Sequence, residues 1–331
     1  MILINLLMFI AAVIALLFYA SIEKTFNLQR SKLLKAILPY GVILGHLSAY
    51  NGNVYSIAIV GSFIVGVFFF ISAYGLECKR QNGKIAIKDI RGRMGKLLLP
   101  LIVPIVVYIV VLAIKGDDVL QTIIGNVKDY QFILPFTWFV IILAIFYAFF
   151  YVLSSVHHIS DKRFFLLLTL SVCVFSVANF MLFRDSAYTN FSSLCFPAGV
   201  LYKQQESKIV LFLSKKYSYL LCFIILLATG FAASINHLLP VTILVWSMLI
   251  IILSTLFYVK KNVALNFFSS ISYEVYVCQG IAYLFIPQHF DKYSPLLHII
   301  LTFALTIALA VACHFVTSQI KRFASTREVS Y

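Results

Sequence analysis

The chain has 331 residues, of which 62% are hydrophobic and 11% are charged, and its mean hydropathy is +0.98. A soluble globular protein is about half apolar and about a quarter charged, so this composition excludes a soluble enzyme and indicates a polytopic membrane protein. The net charge of +14 is also found in nucleic-acid-binding proteins. Here, however, the basic residues lie in short clusters between apolar runs, as the positive-inside rule predicts for a membrane protein.

Apolar runs of bilayer-spanning length predict an all-α, polytopic fold with about ten or eleven transmembrane helices. The predicted ranges are 2–20, 33–50, 57–77, 96–115, 133–154, 163–182, 190–203, 217–235, 238–258, 263–287 and 296–319. No loop between them is long enough for a soluble domain, which favours a single integral membrane domain over 1–331. The seventh run is short and contains Pro197 and Gly199, so it is expected to be a broken helix.

The distribution of basic residues predicts the orientation of the chain. No basic segment precedes the first run and no small-residue cleavage site follows it, which favours a retained helix with its N-terminus outside. That orientation puts 22 of the 26 Lys and Arg residues on the cytoplasmic side. The other four are Lys115, Lys128, Arg184 and Lys292. Because the bias holds at every turn, we expect an extracytoplasmic N-terminus and a cytoplasmic C-terminus.

Residues 31–50 form an apolar helix candidate, SKLLKAILPYGVILGHLSAY, with a cation near one end and an imidazole near the other. Lys35 and His46 are eleven residues apart. In an α-helix this spacing places the two side chains within about 20° of the same face, separated by a rise of roughly 16 Å along the axis. Lys35 would then lie at the cytoplasmic surface and His46 in the outer half of the bilayer. An ionisable group inside a membrane helix predicts a functional site. The alternative is a structural histidine that hydrogen-bonds to a neighbouring helix.

The most basic loop runs from Lys79 to Lys96 and leads into the fourth predicted helix. Arg93 and Lys96 stand at i, i+3 spacing, on one face of that helix. Such a pair can receive a polyanion, with Arg presenting a planar fork and Lys a point charge. The alternative is ordinary anchoring at the membrane surface, including contact with anionic lipid headgroups.

Glu274 is the one carboxylate that the predicted spans place deep in the membrane. It is costly there unless it is protonated or paired. It could orient or charge-stabilise His46, as a carboxylate does for a catalytic imidazole, or it could pair with a tyrosine or serine for structural reasons. The six cysteines are scattered and show no metal-ligand spacing, so we expect neither a metal site nor a disulfide.

Six segments, in this order, resemble motifs of the bacterial membrane-bound acyltransferase-3 family. They are KAILPYGVILGHLS, GVFFFISAYGL, RGRMGKLLLP, PFTWFVIIL, FPAGVLYK and ISYEVYVCQG. The family's basic-x10-His motif falls on Lys35 and His46, with Lys where Arg is usual, and its Arg-x-x-Arg motif falls on Arg93 and Lys96. Gln279 stands where the family often has His, so no role is transferred to it. The resemblance covers about 33–320 and leaves 2–20 as an extra N-terminal helix.

The resemblance implies acyl transfer across a bacterial cytoplasmic (inner) membrane. Acyl-CoA, most often acetyl-CoA, is presented from the cytoplasm without a metal, and a hydroxyl of an extracytoplasmic or lipid-linked glycan is the acceptor. Capsule, exopolysaccharide and O-antigen sugars are the expected acceptors. Lys35, Arg93 and Lys96 would bind the donor, and His46, assisted by Glu274, would act as a general base or carry the acyl group. The expected partners are therefore acyl-CoA, a glycan and the bilayer rather than nucleic acid. The sequence does not decide whether the protein forms a homo-oligomer.

Two other functions fit some of these residues. A proton-coupled transporter or exporter would use His46 and Glu274 near the bilayer midplane, although the sequence shows no inverted repeat. A non-catalytic sensor or scaffold would use both residues only for packing. The transporter predicts function without CoA, and the scaffold predicts that His46→Ala is tolerated, whereas the acyltransferase predicts neither.

Overall fold

The computed structural model describes residues 25–50, 55–83, 85–129, 131–156, 158–182, 191–255, 259–286 and 294–328. Within these ranges every regular element is an α-helix. In chain order the helices are α1 (Leu28–Tyr50), α2 (Tyr55–Gln81), α3 (Ile87–Lys115), α4 (Val119–Lys128), α5 (Trp138–Ser154), α6 (Asp161–Leu182), α7 (Cys195–Gln204), α8 (Glu206–Leu213), α9 (Lys216–Ile235), α10 (Leu239–Ser254), α11 (Val263–Ser270), α12 (Ser272–Phe285) and α13 (Pro295–Glu328). The predicted helix at 2–20 lies outside the described residues.

The apolar length of the helices confirms a multi-pass membrane protein. Five of them, α2, α3, α6, α9 and α13, are long and apolar enough to cross a bilayer. Along α3 the side chains of Ile102, Val106 and Val110 are exposed, and their i, i+4, i+8 spacing gives one outward-facing apolar stripe. Such a stripe is unfavourable in water and is suited to lipid chains.

One predicted helical range contains two observed helices, and another forms a single short helix. The range 263–287 contains two helices, α11 and α12, which are separated at Ile271. The serines before the break explain it, because the Ser269 and Ser270 hydroxyls donate to the carbonyls of Asn266 and Phe267 at 3.1 Å and 2.7 Å and compete with the helical pattern. The seventh range forms the short α7, as the sequence predicted.

Small residues allow the central helix α2 to pack closely against α7 and α10. A Cβ added at Gly199 of α7 would lie 2.4 Å from the Phe70 carbonyl oxygen, so the two backbones are in direct contact. The Ser247 hydroxyl of α10 donates to the Phe63 carbonyl of α2 at 2.9 Å. Small residues and interhelical hydrogen bonds are what hold helices together where lipid removes the hydrophobic driving force.

A buried arginine joins the start of α1 to the end of α10. Arg30 is 1% exposed, and its guanidinium donates to the carbonyls of Ser254 and Thr255 at 3.0 Å and 3.1 Å and also to that of Thr25. The last carbonyls of a helix have no intrahelical donors and carry partial negative charge. Arg30 therefore satisfies the C-terminus of α10 and fixes the position of α1.

The contact between α7 and α2 can be tested with a matched pair of glycine substitutions. Gly199→Ala should lower the thermal unfolding midpoint of the detergent-solubilised protein, because overpacking a close contact costs about 1–3 kcal/mol. Gly125→Ala on α4 is the control, since nothing lies within 4 Å of a Cβ at that position and alanine favours the helix. An unchanged midpoint for Gly199→Ala would contradict the close backbone contact.

Candidate active site

Three cations predicted from separate parts of the sequence line one cavity. The cavity is about 280 Å³ in volume and is walled by α1, α2, α3, α5, α11 and α12. Lys35, Arg93 and Lys96 all belong to its wall, together with Ser72 and Tyr147, and none of the described residues that line it is acidic. The structure therefore brings the three predicted donor-binding residues together.

A second cavity of about 530 Å³ adjoins the first at two of these cations, Lys35 and Arg93. The two cavities share Lys35, Ser72, Arg93 and Tyr147, and the second extends along α1 and α2 towards Tyr74. Among the described residues, its lining also contains no carboxylate. The two spaces form one elongated site with its positive charge near the middle.

The Arg93 side chain is fixed against α2. Its Nη2 donates to the Gly75 carbonyl at 2.9 Å, and the Tyr147 hydroxyl faces both the guanidinium and Ser72. A Cβ at Gly75 would lie 3.7 Å from both terminal guanidinium nitrogens. Arg93 thus has a defined position and still lacks a carboxylate partner among the described residues.

Other cations of the same basic segment are neutralised. Lys79 forms an ion pair with Asp89 at 2.6 Å. Arg80 holds the fully buried carboxylate of Glu77 through two nitrogens, each at 2.7 Å, and its guanidinium lies 4.4 Å from the centroid of the Phe164 ring. The segment therefore contains both paired cations that stabilise the fold and two cavity cations, Arg93 and Lys96, which have no anionic partner within the described residues.

The N-terminal part of α12 forms one wall of the first cavity. Tyr273 and Tyr276 line it, and the Tyr273 hydroxyl donates to the Leu97 carbonyl at 2.6 Å, directly after Lys96. The Tyr276 hydroxyl donates to the Phe136 carbonyl, and the Tyr276 ring packs edge-on against Phe139 at 5.8 Å between centroids. Beyond the cations, the wall is therefore aromatic.

His46 lies next to this wall. Its ring contacts the Phe136 ring, with 4.3 Å between centroids and 43° between planes. His46 does not line either cavity, and no hydrogen bond of its imidazole is found in the described part of the chain. Phe136 has a φ of 65°, which is uncommon for a non-glycine residue and persists only where the surrounding structure holds it.

One face of α12 holds Phe136 against His46. Tyr276, Gly280 and Tyr283 share this face at i, i+4, i+7 spacing. A Cβ at Gly280 would lie 3.1 Å from the Pro135 carbonyl oxygen, and the Tyr283 ring packs edge-on against Phe136 at 5.6 Å. The Tyr283 hydroxyl also donates to the Ile43 carbonyl of α1 at 3.3 Å, so the same helix positions both ring partners.

Glu274 is paired with a residue other than the one expected. It is 4% exposed, and its Oε1 lies 2.8 Å from Nδ1 of His314 on α13. Two residues of α12 correspond to about 200° of rotation, so Glu274 and Tyr276 are on opposite faces and only Tyr276 faces the Phe136 turn. The structure therefore places Glu274 against His314 rather than beside His46.

Sequence patterns assigned no role to His314. The signal that could have found it is physical: a carboxylate inside the membrane needs a partner, and His314 is one of the few titratable residues of the last helix. One turn along α12 from Glu274, the Cys278 thiol meets that of Cys313, the neighbour of His314. Both thiols are free, and the two pairs together join α12 to α13.

A family model for an acyltransferase domain, acyltransferase-3, matches residues 28–315. The chain belongs to the acyltransferase-3 family. The matched range starts at the first residue of α1 and includes Lys35, His46, Arg93, Lys96 and Glu274, which confirms the resemblance seen in the sequence. The protein is therefore a membrane acyltransferase. Neither the comparison with curated proteins nor the comparison with solved structures gives a match.

The Glu274–His314 pair should be energetically coupled. In a double-mutant cycle with Glu274→Gln and His314→Ala, the two losses of thermal stability should be non-additive, with a coupling of about 0.5–3 kcal/mol. Leu170→Ala, at an exposed position of α6, serves as the control and should combine additively with Glu274→Gln. Additive losses for Glu274 and His314 would mean that the contact contributes nothing to stability.

Proposed function

We propose that this acyltransferase takes an acyl group, most often acetyl, from acyl-CoA on the cytoplasmic side. It transfers that group to a hydroxyl of a glycan that is extracytoplasmic or linked to a membrane lipid. The observation that supports this proposal best is that Lys35, Arg93 and Lys96 line one cavity in which no described residue is acidic. A cavity with this charge suits a ligand that carries several negative charges of its own.

The donor is the part of the reaction that the cation cavity supports. CoA carries a diphosphate and a 3′-phosphate, and Arg and Lys bind phosphate oxygens through charge-assisted hydrogen bonds. The adjoining cavity towards Tyr74 gives room for the nucleotide on one side of the cations. On the other side, the aromatic wall of Phe68, Phe139 and Tyr276 suits the less polar pantetheine arm and acyl thioester.

His46 is the proposed general base. Tyr276 connects the donor cavity to Phe136, and the Phe136 ring lies on His46. A neutral imidazole can take the proton of the acceptor hydroxyl as its oxygen attacks the thioester carbonyl carbon. The carbon–sulfur bond then breaks, and the imidazolium returns the proton to the departing CoA thiolate. An acyl-histidine intermediate would use the same residue as a nucleophile instead.

Glu274 is proposed as a positioning residue. Its pairing with His314 fixes one face of α12 against α13, and the opposite face of α12 carries the tyrosines that hold Phe136 on His46. Loss of the Glu274 carboxylate should then disturb the imidazole indirectly. Mutation of His314 would leave the buried Glu274 carboxylate without this partner.

The membrane orientation follows from the distribution of basic residues. With the N-terminus outside and the C-terminus in the cytoplasm, Lys35 lies at the cytoplasmic surface and His46 lies about 16 Å further along α1, in the outer half of the bilayer. A donor bound from the cytoplasm and an acceptor on the outer face would meet at this histidine. This arrangement supports a bacterial inner-membrane enzyme that modifies capsule, exopolysaccharide or O-antigen sugars.

Donor binding should depend on the cavity cations and not on the charge of the segment as a whole. In purified protein in lipid nanodiscs, Arg93→Ala/Lys96→Ala should weaken CoA binding by at least about 100-fold, since each charge-assisted hydrogen bond contributes about 1.5–3 kcal/mol. Lys88→Ala/Arg91→Ala is the matched control, because it removes two exposed cations from the same helix that line neither cavity. Isothermal titration calorimetry would measure both affinities, and equal losses would contradict the assignment.

Acyl transfer should depend on His46, while donor binding should not. In cells lacking the protein, complementation with His46→Gln should leave surface glycan O-acylation about 10²–10⁴-fold below wild type, the usual contribution of a general base. His237→Asn is the control, because His237 is an exposed turn residue with a φ of 55° that asparagine tolerates. All forms would be compared at equal membrane abundance.

Three outcomes of this complementation are informative. Loss of O-acylation with unchanged CoA affinity supports both the enzyme and the base. Full complementation by His46→Gln would refute the catalytic histidine and favour a transporter or scaffold. If deletion of the gene leaves O-acylation unchanged while the purified protein still binds CoA, a surface glycan is refuted as the acceptor. The proposed donor site would then still be supported.

A further inference from the structure

A third cavity lies away from the candidate active site, among α7, α8, α9 and α10. Its volume is about 360 Å³, within the range of small-molecule sites, and it shares no lining residue with the two cation cavities. Its wall is almost entirely apolar and includes Phe212 of α8, Leu226 of α9 and Met248 of α10. A space of this shape and polarity suits a hydrocarbon chain.

The few polar groups at this cavity lack partners. Lys208 lines it with an exposed side chain, and no carboxylate pairs with it among the described residues. The nearby Lys203, in contrast, is paired with Glu206 at 2.5 Å. The cavity therefore combines an apolar interior with an uncompensated positive charge at its exposed edge.

Tyr202 gives a second, independent indication of a ligand. It is 7% exposed and lines the cavity, yet its hydroxyl has no hydrogen-bond partner among the described residues. A buried hydroxyl without a partner costs about 1–3 kcal/mol, so native structures rarely leave one unpaired. An acceptor oxygen on a bound molecule would remove this cost.

We propose that this cavity binds an anionic phospholipid of the cytoplasmic leaflet. One acyl chain fills the apolar interior, the phosphate lies at Lys208, and the Tyr202 hydroxyl donates to an ester carbonyl of the same lipid. The geometry of α8 favours a membrane lipid over a free phosphate compound, because Leu211 and Phe212 project exposed apolar surface beside Lys208. A short helix of that kind lies in the headgroup region, and basic pockets on this side of a membrane bind lipid headgroups.

The bound lipid would support a wall of the candidate active site. The Tyr202 ring packs edge-on against Phe70 at 5.3 Å and against Tyr74 at 6.1 Å between centroids. Tyr74 lines the second cation cavity, and its hydroxyl donates to Glu206 at 2.6 Å. A lipid in the third cavity would therefore support Tyr202 and, through it, Tyr74 in the wall of the second cation cavity. The proposed lipid binding does not rest on the proposed acyl transfer.

The test is lipid retention measured by native mass spectrometry on the purified full chain. The protein would be delipidated and offered phosphatidylglycerol and phosphatidylcholine with identical acyl chains. Wild type should retain phosphatidylglycerol in preference, and Lys208→Ala should reduce that preference about fivefold, the effect of one basic residue at a membrane surface. Lys215→Ala is the matched control, since it removes an exposed lysine of the same segment that does not line the cavity.

A second measurement addresses Tyr202 without relying on lipid selectivity. Tyr202→Phe removes the unpaired hydroxyl, so it should raise the thermal unfolding midpoint of the delipidated protein and reduce the further gain that phosphatidylglycerol gives to wild type. Equal retention of the two lipids by wild type, or equal effects of Lys208→Ala and Lys215→Ala, would refute a specific headgroup site. A Tyr202→Phe variant that gains as much from phosphatidylglycerol as wild type would refute the role of the hydroxyl.

Discussion

A charge surrounded by apolar helices must be paired, hydrogen-bonded or held ready for a ligand, and this constraint organises the protein. Arg30 is satisfied by the carbonyls at the end of α10, and the buried carboxylate of Glu77 is satisfied by Arg80. Both therefore stabilise the fold. The cations that line the proposed donor cavity are different because no acidic side chain lies in its wall among the described residues. Their excess positive charge is the reason for proposing a polyanionic substrate.

Helix α12 contacts both the cation cavity and the Phe136 turn that packs on His46, the proposed base. Its start lines the donor cavity through Tyr273 and Tyr276, and the face that continues through Gly280 and Tyr283 holds the Phe136 turn on His46. The opposite face is fixed to α13. The left-handed backbone conformation of Phe136 is unfavourable for a non-glycine residue. It persists because the side chains packed on both sides of the turn hold it in place.

Much of the site could be predicted from spacing within single helices. Lys35 and His46 share a face of α1 because eleven residues complete about three turns, and Arg93 and Lys96 share a face of α3 because they are one turn apart. The break at Ile271 was missed because hydropathy averages over a window. It does not register the serines whose hydroxyls compete for helical carbonyls. The partner of Glu274 was missed because it is forty residues away on another helix.

The sequence by itself determined the membrane class and the family and predicted the residues proposed for donor binding and catalysis, since these depend on local composition, helical period and motif order. Only the tertiary structure decided which charges are neutralised. Lys79, Arg80, Arg93 and Lys96 all belong to one basic segment. Among the described residues, however, the first two are paired with carboxylates and the last two line a cavity without acidic residues. Pairing depends on distances between side chains of different helices, and such distances exist only after the helices have packed.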